Sequence, residues 1–368
     1  MKILLIRLRL VGDVVFTTPA IRAVRRTFPD AHLAYLVERS AAPVVARNPH
    51  LDEVIVIDHR HGVRRLVDDA RLAWRLRQSR YHVVIDFHGG PRASWLTWAT
   101  GAPMRVGYHV AGRTWAYTRA VARPAELRAR HSVVNQWDLL GVLHPSLAAP
   151  PDPSRDPVEV ADDPAAASRV SAWAAAAGLG PGDDVVVVHV SAGNPFRRWP
   201  AESFVGLVVA LSAAALNRRI ILTSGPSDVG AAQRIAAAAR ERLGRAREAA
   251  LVDFPELDLV ELRALVARSA LFIGGDSGPL HVAATTATPT VGIFGPTLPQ
   301  RSAPWRDAAW VTESVEPDAL SCRPCDQRVC VPGDFRCLSA LPASRVAAAA
   351  ERALARERAR RSVVSHPL

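Results

Sequence analysis

A chain of 368 residues, 49% hydrophobic and 22% charged, suits a globular enzyme of two domains better than a single small core. Its formal net charge of +11 is carried almost wholly by arginine, Lys2 being the only lysine. Such a balance favours a polyanionic substrate or an anionic membrane surface, although a GC-rich genome would leave the same bias. Met1–Arg7 is too short and too soon broken by arginine for a secretory signal, and no other apolar run approaches the roughly twenty residues of a membrane span, so a cytosolic protein is expected. No aromatic-interleaved basic stripe and no DNA or RNA motif is present, so nucleic acid is not expected as a partner.

In chain order, Lys2 to Arg7, His32 to Val37, Val54 to Asp58 and His82 to Phe87 read as short buried strands. Helical patterns fall between them at Ala20 to Phe28, Ala41 to Arg47 and Val63 to Arg80. The stretch from Pro145 to Pro164, with prolines and acids, reads as a linker or a loosely packed crossing. An alanine-rich helix from Ala165 to Ala177 then restarts the rhythm, with strands at Val185–Val190, Arg219–Thr223, Ala250–Asp253, Ala270–Ile273 and Thr290–Phe294. Pro342 to Arg361 is a charged helix that either packs back across the first domain or forms a solvated cap. The fold class expected is α/β with two Rossmann-like, doubly wound parallel sheets and a cleft between them: residues 1–160, residues 161–341 and a C-terminal helix and tail over 342–368.

Two strand–helix junctions carry chemistry. In Phe272-Ile-Gly-Gly-Asp276-Ser277-Gly278-Pro279-Leu-His281 an apolar strand meets glycines, then an acid, a hydroxyl and a proline at the first helical position. Capped by Ser277 or Gly278, that helix would point unpaired N–H groups at an anion such as a diphosphate. The same residues resemble the nucleophile segment of trypsin-like proteases, but that motif has a second glycine where Pro279 stands, and the alternating strand–helix pattern does not suit its β-barrel. In the first half, Gly12-Asp13 precedes Thr17-Thr18-Pro19, so Thr18 reads as an N-cap and Asp13 as a loop carboxylate able to act as general base. Gly12 stands alone, so no dinucleotide fingerprint is present.

All four cysteines fall in one segment, Cys322-x2-Cys325-x4-Cys330-x6-Cys337. A cytosolic location disfavours disulfides, leaving a structural zinc site or reduced thiols.

Taken together, Lys2–Arg22, Asn48–Ile55, Val84–Gly90, Ser191–Pro200 and Gly275–His281 resemble the blocks of glycosyltransferase family 9, the bacterial lipopolysaccharide heptosyltransferases, in order and over about residues 1–345. The resemblance implies a GT-B fold, an ADP-heptose donor held by the second domain, an inner-core lipopolysaccharide acceptor held by the first, and inversion without cofactor or tightly held metal. It places the family's base on Asp13. The donor would meet Ser191, Arg197, Arg198, Asp228 (or Ser227), Asp276, Ser277, Gly278 and His281, with Asp276 ordering its loop or bonding the heptose. Arg197 stands where the family usually has lysine, and His281 reads equally as a core histidine. Arg60, Arg64, Arg65, Arg92, Arg113 and Arg119 are candidates for gripping acidic groups of the acceptor. The enzyme would then work at the cytoplasmic face of the inner membrane as a peripheral protein. The alternatives are the same fold acting on a protein or another glycan, or a non-catalytic nucleotide-sugar-binding protein.

Overall fold

The computed structural model describes residues 1–58, 62–124 and 130–364, with 63, 64, 363 and 364 described by backbone alone. The chain divides into two compact units, Met1–Ala161 and a second beginning at Asp162.

The first unit runs β1 (Lys2–Ile6), α1 (Val11–Val15), α2 (Thr18–Thr27), β2 (His32–Glu38), β3 (Glu53–Ile57), α3 (Val63–Gln78), β4 (Val83–Asp86), α4 (Pro91–Ala99), β5 (Met104–Tyr108), β6 (Arg119–Val121) and α5 (Ser132–Trp137). Ile3, Leu4, Leu5 and Ile6 are all fully buried, as expected of a parallel strand covered by helices on both faces. The sheet order is β3-β2-β1-β4-β5-β6, with Ile6 level with Leu36 on one side and Asp86 on the other. The chain winds outward from β1 through β2 and β3, then returns to lay β4 against β1. The loops after β1 and β4 therefore emerge side by side at the point where strand order reverses, the place where open α/β sheets bind ligands.

The second unit repeats the plan with α6 (Pro164–Ala176), β7 (Asp184–His189), α7 (Ala201–Ala214), β8 (Arg218–Thr223), α8 (Val229–Leu243), β9 (Leu251–Val252), α9 (Leu259–Ala267), β10 (Leu271–Gly275), α10 (Gly278–Ala283), β11 (Thr290–Ile293), α11 (Pro299–Ser302), β12 (Thr312–Val315), α12 (Arg336–Ser339) and α13 (Ala343–Val364). Its order is β12-β11-β10-β7-β8-β9, so the reversal lies between β7 and β10. Local signals set the helix starts: Asp163 accepts from the Ala166 N–H ahead of Pro164, and Asp258 with Glu261 forms a capping box for α9.

Several elements differ from the sequence reading. β5, β6 and β12 carry Arg105, Gly107, Arg119 and Glu313 in place of β-branched runs, so their pattern is weak. The helix expected at Ala41–Arg47 is only a 3-10 turn over Ala42–Val44. The proline-rich stretch before Pro164 is not loose. Val158 and Val160 are buried, Glu159 ion-pairs with Arg22, and its N–H donates to Thr18 Oγ at 2.9 Å. Thr18 is the first helical residue; Thr17 occupies the cap position without a side-chain cap bond.

The C-terminal helix α13, expected to pack back across the first domain or to form a solvated cap, belongs to the second unit and is not a solvated cap. It packs on α7 and along β10, β11 and β12, and Val346, Ala349, Ala350, Ala353 and Leu354 enter the core of the second unit. Arg218, 1% exposed at the start of β8, ties the helix down through two bonds to the Glu351 carboxylate at 2.7 and 3.3 Å. Glu351→Ala leaves that guanidinium buried without its anion and should destabilise the second unit by roughly 1–3 kcal/mol. A urea midpoint equal to wild type would show that the pair does not hold the helix.

Candidate active site

In the first unit, Arg7 follows the last residue of β1, and its guanidinium donates to the Phe87 carbonyl beyond β4 at 2.7 Å while ion-pairing with Asp13. Asp13 lies in the short helix α1 rather than in a loop, with its side chain 28% exposed. Gln136 Nε2 on α5 donates to the Asp13 carbonyl at 3.3 Å, anchoring the turn from the other side. Leu10, just ahead, takes a left-handed φ of 65°, an uncommon state for a branched residue and one that concentrates near functional loops. This edge therefore presents a carboxylate positioned by a guanidinium, both partly open to solvent.

Beside it, Asp86 ends β4 and spends its carboxylate on shaping the next turn. It accepts from the N–H groups of His88 and Gly89 at 2.9 and 2.8 Å and from the Tyr117 hydroxyl at 2.8 Å. Burial raises its pKa against the lowering effect of those donors. Gly89 has a φ of +62°, which the tight turn needs and a side chain would resist. His88, with the Arg7 and Arg9 cations near it, is pushed by burial and then by those charges to about 4, so it is neutral at pH 7.

The arginines proposed for the acceptor do not form one cluster among the described residues. Arg60 and the Arg64 side chain lie outside the described residues. Arg92 is consumed by Asp69 at 2.6 Å and Glu38 at 3.2 Å, and Arg65 also faces Asp69. Arg119 opens the edge strand level with Val106, midway along β5. Arg113 lies near the buried Tyr117, the member of the set best placed toward the Asp86 turn.

In the second unit the loops after β7, β8 and β10 share one edge. Asn194 caps a 3-10 turn, Pro195–Arg197, and orients Arg197 toward the loop after β10. Arg197 Nη1 reaches the Asp276 carbonyl at 3.0 Å and its carboxylate at 3.1 Å. Asp276 is 1% exposed; its other contacts are the Thr297 hydroxyl at 2.5 Å and His281 Nε2 at 3.5 Å. Burial alone would raise this carboxyl, but His281, Arg197 and Thr297 outweigh it and bring it down to about 2. Asp276 is thus bound within its own loop network, with His281 as a buried partner. Ser277 is the N-cap of α10, Gly278 its first residue and Pro279 its second, one place later than the sequence suggests.

Two further candidates turn inward. Ser191 gives its hydroxyl hydrogen to Asp228 at 2.8 Å and accepts the Gly225 N–H at 2.9 Å, so it does not offer a proton outward. Asp228 is buried and also bound by Arg198 at 3.1 Å and Ser227 at 3.1 Å, which knits the β7 and β8 loops together. Arg198, 45% exposed, Arg197, 29% exposed, and the Ser277–Gly278 corner remain as the outward-facing polar groups of the set. Beyond β8 and β9 a cavity of about 160 Å³ opens, lined by Leu222, Ala232, Val252 and Phe254 with Thr223 and Asp253 at its polar side.

Gln327 belongs to no motif that could be recognised from sequence. Its side-chain oxygen accepts from Arg197 Nε at 2.7 Å and Asn194 Nδ2 at 2.9 Å. Phe335 meets Phe196 edge-on at 5.4 Å, so the cysteine-rich segment buttresses the Arg197 turn. The four thiols are free and half-buried, and burial followed by the neighbouring thiols raises Cys337. Among the described residues no group of three or more His, Cys, Asp or Glu is arranged to hold a metal ion.

The sequence profile of glycosyltransferase family 9 (heptosyltransferase) matches residues 70–333. The chain belongs to that family. It is 26% identical to lipopolysaccharide heptosyltransferase 3 of Escherichia coli over 295 residues, 79% of this chain and 82% of the relative. Lipooligosaccharide heptosyltransferase 2 of Haemophilus influenzae is 23% identical over 337 residues, 89% of this chain and 92% of the relative. Among solved structures, E. coli ADP-heptose lipopolysaccharide heptosyltransferase II superposes with a TM-score of 0.75 at 20% identity, covering 97% of this chain and 100% of that one. An E. coli heptosyltransferase holding ADP-2-deoxy-2-fluoro heptose gives 0.69 at 19% identity, with coverage of 96% and 99%. The architecture is accordingly the GT-B class of α/β fold, and this family 9 chain is a glycosyltransferase.

The Asp276 network has a pH signature. A carboxyl lowered from 3.8 to about 2 on folding stabilises fully above its unfolded value and loses that contribution as pH falls toward 2. The stability gap between wild type and Asp276→Asn should therefore shrink by about 2 kcal/mol between about pH 5 and pH 2. Urea midpoints at the two pH values measure it, and a gap independent of pH would show that the carboxylate is not held in its charged form.

Proposed function

We propose that this glycosyltransferase moves heptose from ADP-heptose to the inner core of lipopolysaccharide with inversion at the anomeric carbon. The observation that carries the reading is the Arg7–Asp13 pair, a partly open carboxylate fixed at the strand-order reversal of the first sheet. The acceptor hydroxyl oxygen attacks the anomeric carbon from the side opposite the diphosphate, and its proton passes to the Asp13 carboxylate. The bond from that carbon to the diphosphate oxygen breaks, and ADP leaves with the electron pair. Arg7 orients the carboxylate through the transfer.

The second unit takes the donor. Arg197 meets the charge that develops on the departing diphosphate, with the N–H groups at the Ser277–Gly278 corner as further donors. The cavity beyond β8 and β9, with apolar and polar sides, receives the nucleobase. Asp276, Asp228, Ser191 and His281 act through these groups by fixing their loops. No cofactor enters the scheme. Support for the sugar and nucleotide comes from the family and from relatives whose names specify heptose and ADP. No described helix is long and apolar enough to cross a membrane, so the reading has the enzyme reach its lipid-anchored acceptor from the cytoplasmic face as a peripheral protein.

Incubation with ADP-heptose and defined truncated cores, read by mass spectrometry, tests the reaction itself. Asp13→Asn should lower kcat by about 10²–10⁴-fold while ADP binding stays close to wild type. Full turnover by that variant would remove Asp13 from its role. Arg197→Ala should lower kcat by about 10²-fold, and unchanged kcat and donor KM would move the charge-neutralising role elsewhere.

A further inference from the structure

Of nine tryptophans, three are at least half exposed among the described residues, and all three lie in the first unit: Trp74 at 66%, Trp98 at 50% and Trp115 at 55%. They gather toward one end of its sheet. α3 and α4 cover the same face, their Leu72, Leu76, Ala93 and Leu96 sharing a core with Leu4 and Ile6. Both helices run antiparallel to the strands they follow, so Trp74 and Trp98 approach the amino-terminal edge, opposite the edge that carries Asp13. The helix ends adjoin, since a Cβ on Gly101 would fall 2.5 Å from Arg77 Nη1. Trp115 meets Trp98 edge-on at 5.9 Å, and the neighbouring Ala116 carbonyl is drawn down by Arg105 Nε at 2.9 Å.

One arc of the exposed side of α3 is apolar where a soluble helix is normally polar. At 100° per residue, Leu66, Ala70, Trp74 and Val67 fall within one 100° arc, and all four are exposed. Arg77 lies within that arc and Arg71 borders it. Next to Trp74 a shallow concavity of about 810 Å³ is lined by Lys2, Arg77, Arg80 and His82, and none of its described lining residues carries a carboxylate. Arg77 and Arg80 have no carboxylate partner among the described residues, in contrast to Arg92, Arg198 and Arg218. The acids on this edge sit toward β2 and β3, where Asp52 is held by Arg25 at 2.5 Å and Glu53 faces His32 at 3.5 Å.

We infer that this edge, with Trp74, Trp98 and Trp115 as anchors and Lys2, Arg77 and Arg80 as the charge, docks the enzyme on an anionic lipid bilayer. Tryptophan at the headgroup level and unpaired basic residues facing anionic lipid are the two components such binding needs. The inference rests on the proposed lipid-anchored acceptor for its biological sense, but its test does not. The full chain should co-sediment with phosphatidylglycerol–phosphatidylcholine vesicles and not with phosphatidylcholine alone, and the binding should weaken in high salt. Trp74→Ser with Trp98→Ser should weaken binding at least tenfold, and Arg77→Gln with Arg80→Gln should remove the preference for anionic vesicles. Heptose transfer to a soluble, lipid-free core should stay at the wild-type rate in both variants, which separates this surface from the reaction; a wild type without transfer would instead count against the proposed function. Single Trp→Phe variants keep the fold under test: brominated lipid should quench wild-type fluorescence, and Trp74→Phe or Trp98→Phe should reduce the quenched fraction. Absent binding by wild type, undiminished binding by the tryptophan variants, or a wild-type dimer that these changes convert to monomer would overturn the inference, the last by assigning the edge to a second copy of the chain.

Discussion

A carboxylate sealed from water is tolerable only when its charge is matched, and Asp276 is matched by groups from three separate parts of the second unit. Arg197 comes from the loop after β7, His281 from α10 and Thr297 from beyond β11. Removing any one would leave the others facing an unbalanced buried charge, so the loops are held in a common arrangement rather than singly. Gln327 extends the same logic outward by fixing the far side of the Arg197 guanidinium. A donor loop that must meet a departing diphosphate gains from this rigidity, because groups already in place need not reorganise as charge develops.

The arginine excess takes on a different meaning once its partners are seen. Arg22, Arg92, Arg198 and Arg218 are consumed by Glu159, Asp69, Asp228 and Glu351, each fastening one element to another. Net charge alone suggested a polyanionic substrate or an anionic membrane surface, whereas much of it is internal fastening. What is left over is local and falls into small sets with separate surroundings.

Long apolar strands and their following helices were legible because burial on both faces demands continuous hydrophobic runs, as in Ile3–Ile6 and Val185–Val188. β6 and β12 were not, because edge strands are half-covered and tolerate Arg119 or Glu313. The two strand–helix junctions could be located from glycine, acid and proline, since backbone chemistry is local. The direction in which Ser191 and Asp228 point could not, because it is decided by Gly225 and Arg198 from other loops. Gln327 was invisible for the same reason: it lies 130 residues from Arg197, in a segment read only for its thiols.

The anchoring of α13 by Arg218 bears on how the polypeptide acquires its shape during synthesis. Every strand and helix of the first unit precedes Ala161, so that unit can finish folding while translation continues. The second cannot close the face of its sheet until Val346–Leu354 have left the ribosome, although the loops that would hold the nucleotide are complete well before. One half of the enzyme therefore matures early, and the other waits for α13 to be made.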